Sequence, residues 1–76
     1  MKSTKDATLK LFAKNLAQLR KAKKITQEQL AEAADISAIY IAHLEQGRKS
    51  PTLHVLASLT HALNVSVKDL FKGICK

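Results

Sequence analysis

Basic side chains gather at two places in this chain where they could bind an anion. Lys23 and Lys24 stand together at the first place, and Arg48 and Lys49 precede a Ser-Pro pair at the second. Lysine and arginine neutralise phosphate groups, and a nearby hydroxyl can donate a hydrogen bond to the same oxygens. Both places are therefore candidate phosphate-binding sites. The alternative is a solvated helix face at the first place and an ordinary basic loop at the second.

The charge of the whole chain favours an anionic partner. The 76 residues contain 13 Lys and Arg against 6 Asp and Glu, which gives a net charge of +7. Residues 1–24 and 48–76 carry all the basic groups, whereas residues 25–47 carry four acidic groups and no Lys or Arg. The pattern is thus two basic flanks around an acidic middle, and nucleic acid is the first candidate partner.

Several function classes have no support in the residues. A chain of this length predicts one domain, residues 1–76, and so short a domain rarely builds both a core and a deep pocket, so we expect no enzyme. One cysteine allows no internal disulfide. His54 and His61 have no evident third ligand, so we expect no metal or other cofactor. Without a long apolar run or a secretory leader, we expect no membrane contact and a cytoplasmic, nucleoid-associated location.

The elements that must position the basic groups are helices. Leu9, Phe12, Leu16 and Leu19 recur at spacings of three and four, which predicts a first helix over about residues 7–23. A capping box at residues 26–29 opens a second helix over about 27–34. Ser37 opens a third helix that runs to about residue 46.

The remaining signals predict two more helices. Gly47 is placed to end the third helix, and a threonine at residue 52 opens the fourth, which runs to about residue 63. Asn64 can adopt the left-handed conformation at the end of the fourth helix. A second capping-type start over residues 66–69 opens a short fifth helix. The apolar side of the fourth helix is predicted to be Leu53, Leu56, Leu59 and Leu63.

The second and third helices have the spacing of a helix-turn-helix. Three residues, Asp35 to Ser37, separate them. Aspartate at such a turn tolerates the left-handed conformation at modest cost. The pattern predicts an all-α fold, a compact five-helix bundle with the helix-turn-helix over about residues 26–46.

Three stretches of sequence carry a wider resemblance. They are residues 25–37 (ITQEQLAEAADIS), 41–53 (IAHLEQGRKSPTL) and 63–71 (LNVSVKDLF). Together they resemble the Cro/CI-type (Xre-like) helix-turn-helix family over about residues 9–71. The resemblance implies a lambda repressor-like DNA-binding domain, usually dimeric, that regulates transcription. Its most telling positions are Gln27, Ala31, Ile41, Glu45, Gly47, Pro51 and Leu53.

Within that family the chain looks most similar to the restriction–modification controller proteins. These are similarly short and share the pair that is Tyr40-Ile41 here. They tend to carry Arg-Thr ahead of the tyrosine, where this chain has Ala38-Ile39. Their base preference is therefore not carried over.

The resemblance also implies which residues meet DNA. The third helix would enter the major groove with its N-terminal residues toward the base edges. Partial core packing is the alternative for Ile39 and Tyr40, and helix capping is the alternative for Gln27. The candidate base-reading residues are Ser37, Ala38, Ile39, Tyr40 and His43. The candidate contacts to the DNA backbone are Lys23, Lys24, Gln27, Arg48, Lys49, Ser50 and Thr52.

Two further sets of residues are expected, one from the family likeness and one from apolar side chains that the last two predicted helices leave over. Arg20 and Glu45 match a structural pair that fixes the third helix against the first. The dimerisation region is expected over about residues 53–76, with Val55, Val67, Phe71 and Ile74 as the dimer interface.

The leading hypothesis is a sequence-specific regulator of transcription that binds a palindromic operator as a homodimer. The alternative is an antitoxin or another protein-interaction module with the same fold. Double-stranded DNA and a second copy of the chain are the expected partners, and RNA polymerase is left open as a third. The acidic residues Glu28, Glu32 and Asp35 are expected to face away from DNA.

Overall fold

The computed structural model describes residues 4–74, and its regular structure consists of five helices. They are α1 (Thr4–Ala22), α2 (Gln27–Ala34), α3 (Ala38–Glu45), α4 (Leu53–Leu63) and α5 (Val67–Leu70). Within these residues the predicted all-α, five-helix fold is confirmed, although α1 begins three residues earlier than expected. Residues 1–3 and 75–76, which end the predicted domain and dimerisation region, lie outside the described residues. In the described part of the chain, no helix combines the length and apolarity needed to cross a bilayer.

The helix starts follow the capping signals of the sequence. At α2, the Thr26 hydroxyl accepts from the Gln29 amide at 3.0 Å, and the Gln29 side chain accepts in return from the Thr26 amide at 2.8 Å. Ser66 forms the same reciprocal box with Asp69 at α5. Ser37 and Thr52 each cap their helix through the hydroxyl alone. Each cap satisfies amide groups that a helix start leaves without partners.

Four of the helices end with a residue in the left-handed conformation. In each case the amide of the next residue reaches back to a carbonyl five positions earlier, as Ile36 does to Ala31 at 3.0 Å and Arg48 to His43 at 3.0 Å. This arrangement satisfies carbonyls that the helix leaves free. The four left-handed residues are Lys24, Asp35, Gly47 and Asn64. The sequence signalled the last three but not the lysine.

The core forms where α2 packs against α3 and α4 while α1 packs against α3 and α5. Every helix contributes at least one large side chain with almost no exposed surface. Full burial of each such side chain stabilises the fold by about 1.5–3 kcal/mol. These side chains are Phe12, Leu16, Leu30, Ile41, Leu44, Leu59, Leu63 and Leu70.

Two sequence predictions about α4 are wrong. Leu53, predicted on the apolar side, is 84% exposed, whereas Val55, predicted at the dimer interface, is 8% exposed and belongs to the core. The buried face of α4 is centred on Val55, Leu59 and Leu63, at spacings of four. At 100° per residue, Leu53 lies roughly 120° from the centre of that face, so its side chain faces solvent.

The short helix α5 is held to α1 by two contacts. The side-chain amide of Asn15 donates to the carbonyls of Leu70 and Lys72, each at 2.9 Å. The rings of Phe12 and Phe71 lie 5.8 Å apart between centroids. A single turn of helix has little stability of its own, so these tertiary contacts define where the C-terminal part of the chain lies.

Candidate nucleic-acid interface

The helix-turn-helix is present with the predicted turn. Asp35 adopts φ 59° and ψ 45°, which reverses the chain after α2. Ile36 is partly buried against the core, and Ser37 then caps α3. The turn therefore fixes the end of α2 next to the start of α3.

The start of α3 carries the one large apolar side chain of this helix that the core does not use. Ile39 is 70% exposed, so the alternative of core packing does not apply to it. Tyr40 packs partly against the core, and Ala38 and His43 are also partly buried. Ser37 is exposed, but its hydroxyl already accepts from the Tyr40 amide at 3.0 Å. Ile39 is thus the candidate base-reading side chain with the most surface available to a ligand.

Arg20 and Glu45 form the expected pair, with bidentate geometry. The Arg20 Nε lies 2.7 Å from Glu45 Oε2, and its second terminal nitrogen lies 3.0 Å from Glu45 Oε1. The first terminal nitrogen donates to the carbonyl of Ile25 at 2.8 Å. The two side chains are only 11% and 7% exposed. One guanidinium therefore joins α1, the turn before α2 and the end of α3.

The electrostatics of the pair keep the arginine charged. Hydrogen bonds to Glu45 raise the pKa of Arg20 above its ordinary value; burial opposes this, and the charges of Glu45 and Glu28 add to the rise. Because the pKa of Arg20 is higher in the folded state, its ion pair stabilises the fold at every pH below the ordinary arginine pKa. This stabilisation is lost only as the pH rises above that pKa. The contribution is constant across the neutral range.

Gln27 occupies a position that the sequence interpretation did not foresee. Its side-chain amide donates to Glu45 Oε1 at 3.0 Å, and the residue is partly buried. One of the two N–H groups of the amide expected to reach a DNA phosphate is therefore engaged within the protein. No local signal identifies this contact, because 18 positions separate the two residues.

The basic loop after α3 is placed by Gly47. This residue has φ 73°, and a Cβ built on it would lie 3.9 Å from the Leu9 carbonyl oxygen and from the Lys10 Cα. The loop therefore leaves α3 directly over the N-terminal half of α1. All four of its candidate contacts to the DNA backbone are exposed: Arg48, Lys49, Ser50 and Thr52.

The second group of basic residues lies in the turn before α2. Lys23 and Lys24 are both exposed, and the Arg20 contact to the Ile25 carbonyl anchors the turn that carries them. Because the same guanidinium holds Glu45, the turn before α2 and the end of α3 meet at one cluster. Arg20 therefore fixes both the turn that follows Lys24 and the residue that ends α3.

The three acidic residues in and directly after α2 are exposed. These are Glu28 and Glu32, followed by Asp35 at the turn. Glu28 lies near enough to Arg20 to raise its pKa. The carboxylate of Glu28 therefore lies near the Arg20–Glu45 pair. That the three acidic groups face away from DNA stays a prediction.

The candidate dimer interface is more buried than expected. Val67 is 48% exposed, whereas Phe71 and Ile74 are partly buried against the core. An open cavity of about 550 Å³ lies beside them, lined by Lys68, Asp69, Phe71, Lys72 and Gly73. Among the residues with described side chains, no group of three or more His, Cys, Asp or Glu is placed to hold a metal ion.

Comparison with a family model supports the role of this region. The model of the HTH_3 family, described as helix-turn-helix, matches residues 16–70. That range contains α2, the turn, α3 and the basic loop. It also contains both members of the Arg20–Glu45 pair.

Two relatives match the chain over most of their own length. The chain is 41% identical over 61 residues to the uncharacterised HTH-type transcriptional regulator y4dJ of Sinorhizobium fredii, which covers 80% of this chain and 79% of that protein. It is 37% identical over 60 residues to the control protein C.SmaI of Serratia marcescens, which covers 79% and 71%. It spans 49% and 36% of the lengths of two further relatives.

A solved structure has the same fold over nearly its whole length. The restriction–modification controller protein C.AhdI of Aeromonas hydrophila superposes with a TM-score of 0.83 and 32% sequence identity. The match covers 86% of this chain and 98% of that protein. The chain therefore belongs to the HTH_3 helix-turn-helix family and is a DNA-binding transcriptional regulator.

Proposed function

We propose that the chain binds a palindromic operator as a homodimer, with α3 of each copy in the major groove. The observation that carries this proposal is Ile39, an aliphatic side chain 70% exposed at the start of a helix whose other large apolar groups pack inward. Aliphatic groups at this position of a recognition helix contact the methyl group of thymine. Ser37, Tyr40 and His43 flank Ile39 and can supply hydrogen bonds to bases or phosphates.

The basic groups support a division of roles along α3. Arg48 and Lys49 follow the C-terminal end of this helix, whereas Ile39 lies near its start. Eight residues of helix are about 12 Å long, which is close to the width of the major groove. In this arrangement the basic residues bind the phosphates at the edge of the groove while the start of α3 reads bases within it.

The homodimer supplies what one short helix cannot. A single half-site offers few base contacts, and two-fold pairing places two recognition helices about 34 Å apart, one turn of DNA. The exposed Val67, with Phe71 and Ile74 beside it, gives the C-terminal region an apolar surface for a second copy. Val55 is excluded from that surface because the core buries it.

The role in a restriction–modification system rests on the named controllers. C.SmaI and C.AhdI match this chain over more than two thirds of their length. A regulator of this kind would act at the nucleoid. A dimer over a promoter would exclude RNA polymerase, and a dimer just upstream could contact it.

Selection of bound duplexes from a random pool tests the proposal. We expect the recovered sequences to contain two inverted half-sites with centres about 34 Å apart. An Ile39→Ala variant carried through the same selection should recover the same spacing with weaker preference at thymine positions. Recovery of single, asymmetric sites would contradict the homodimer, and recovery of no preferred sequence would contradict operator recognition altogether.

A further inference from the structure

The two helices of the helix-turn-helix, α2 and α3, are connected at both ends. Gln27 makes the second of these connections, by a hydrogen bond to Glu45. The turn from Asp35 to Ser37 connects the end of α2 to the start of α3. At the opposite ends, the Gln27 amide in the first turn of α2 donates to Glu45, the last residue of α3, at 3.0 Å. The two helices are thus connected covalently at one pair of ends and by a charge-assisted hydrogen bond at the other.

The acceptor of that bond is itself immobilised. Glu45 is 7% exposed and receives two hydrogen bonds from Arg20, at 2.7 and 3.0 Å. Its Oε1 accepts from both Arg20 and Gln27. Because Arg20 belongs to α1, Gln27 is tied through Glu45 to a helix outside the motif.

We infer that Gln27 is a specificity-determining positioning residue, which acts through Glu45 to set the angle between α2 and the recognition helix. The inference rests on the proposed function, because it concerns how α3 reads bases.

Geometry explains why the angle would affect specificity more than affinity. If α3 pivots by 10° about the turn at its start, His43, about 9 Å along the helix from Ser37, moves by about 1.5 Å. Hydrogen bonds to base edges tolerate only a few tenths of an ångström before they weaken. Attraction between lysines and phosphates falls off gradually with distance and does not depend on sequence. Loss of the hydrogen bond between Gln27 and Glu45 would therefore reduce discrimination between bases and leave the affinity for non-specific DNA unchanged.

The test compares the affinities of Gln27→Met for the selected operator and for a random duplex. Methionine keeps the length of the side chain and removes the donor. We expect the ratio of specific to non-specific affinity to fall by about tenfold, the effect of weakening the readout of one base pair, with the non-specific affinity unchanged. Gln18→Met, the same change at an exposed position of α1, should leave the ratio unchanged.

A double-mutant cycle shows whether Gln27 acts through Glu45. The background is Arg20→Met combined with Glu45→Met, which removes the acceptor of Gln27 without leaving a buried charge unpaired. In this background Gln27→Met should lower the specificity ratio no further. Each variant is assayed at a temperature at which its circular dichroism shows it folded.

The outcomes separate the two proposals. If Gln27→Met weakens binding to both duplexes equally, the amide contacts phosphate and the inference is overturned. An unchanged ratio, or a full further decrease in the double-variant background, overturns it as well. A wild-type protein with no preferred sequence overturns the proposed function and this inference with it.

Discussion

Asn15 of α1 donates its side-chain amide to the carbonyl of Leu70, 55 positions away, at 2.9 Å. The same amide also reaches Lys72. It therefore caps the end of α5, a helix too short to hold its own position, and joins the first helix of the chain to the last.

Removal of this amide should loosen the C-terminal region. We expect Asn15→Ala to lower the free energy of unfolding by about 1–3 kcal/mol, because two carbonyls are left without their donor. For a domain of this size, each kcal/mol lowers the melting temperature by about 4–8 °C. Gln18→Ala, at an exposed position three residues along the same helix, serves as the control. Equal melting temperatures for the two variants would show that α5 does not depend on Asn15.

The Arg20–Glu45 pair makes a second prediction about stability. Glu45→Ala leaves a buried guanidinium without its carboxylate, and we expect a decrease of about 1–3 kcal/mol in the free energy of urea-induced unfolding. Glu32→Ala, which removes an exposed carboxylate from α2, should change stability little. An unchanged midpoint for Glu45→Ala would mean that the pair contributes nothing to the fold.

The basic loop should control how DNA affinity depends on salt. Removal of one phosphate-binding side chain reduces the slope of log K against log salt concentration by about 0.9. Because the proposed homodimer carries each residue twice, we expect Arg48→Ala and Lys49→Ala each to reduce the slope by about 1.8 and to weaken operator and random duplexes alike. Lys68→Ala in α5 removes the same charge from the region expected to form the dimer. A slope that falls equally for Lys68→Ala would point to net charge alone and not to contacts made by the loop.

Ile39 should affect recognition without affecting folding. Because the side chain is 70% exposed, Ile39→Ala should change the melting temperature by less than about 4 °C. The same variant should lose about 1 kcal/mol of discrimination at one base pair of each half-site, measured by competition between duplexes with single substitutions. Leu53→Ala is the matched control, an even more exposed aliphatic residue outside the motif. If Leu53→Ala alters the same base preference, Ile39 is not the residue that reads it.

Val67 offers a direct test of the dimer surface. Val67→Lys places a charge on the apolar surface expected to form the dimer. Repulsion between the two copies should raise the dimer dissociation constant at least about tenfold. Sedimentation equilibrium measures this constant. Ala33→Lys, at an exposed position of α2, adds the same charge elsewhere and should leave the constant within about twofold. If both variants remain equally dimeric, the copies associate through a different surface.

The local features of this fold were readable from sequence because each depends on neighbouring residues. The capping pairs Thr26–Gln29 and Ser66–Asp69 lie three positions apart, and Gly47 ends α3 through its own backbone. Left-handed Lys24 is the exception, because lysine has no particular preference for that conformation.

The features missed by sequence depend on how the helices pack. Nothing near Asn15 or Gln27 indicates a partner 55 or 18 positions away. Leu53 was wrongly predicted as buried and Val55 as exposed because α4 has many apolar residues, which form two overlapping apolar stripes along the helix. Packing of α4 against α2 and α5 selects the one centred on Leu59.

The exposure of Ile39 has a consequence for how such regulators diverge. The core is complete without this side chain, so mutation can replace it without first finding a compensating change elsewhere. Natural variation at residue 39 would therefore be filtered by the promoter it must recognise and scarcely at all by foldability. A duplicated copy of this gene could acquire a new target sequence in single steps, each of them a stable protein.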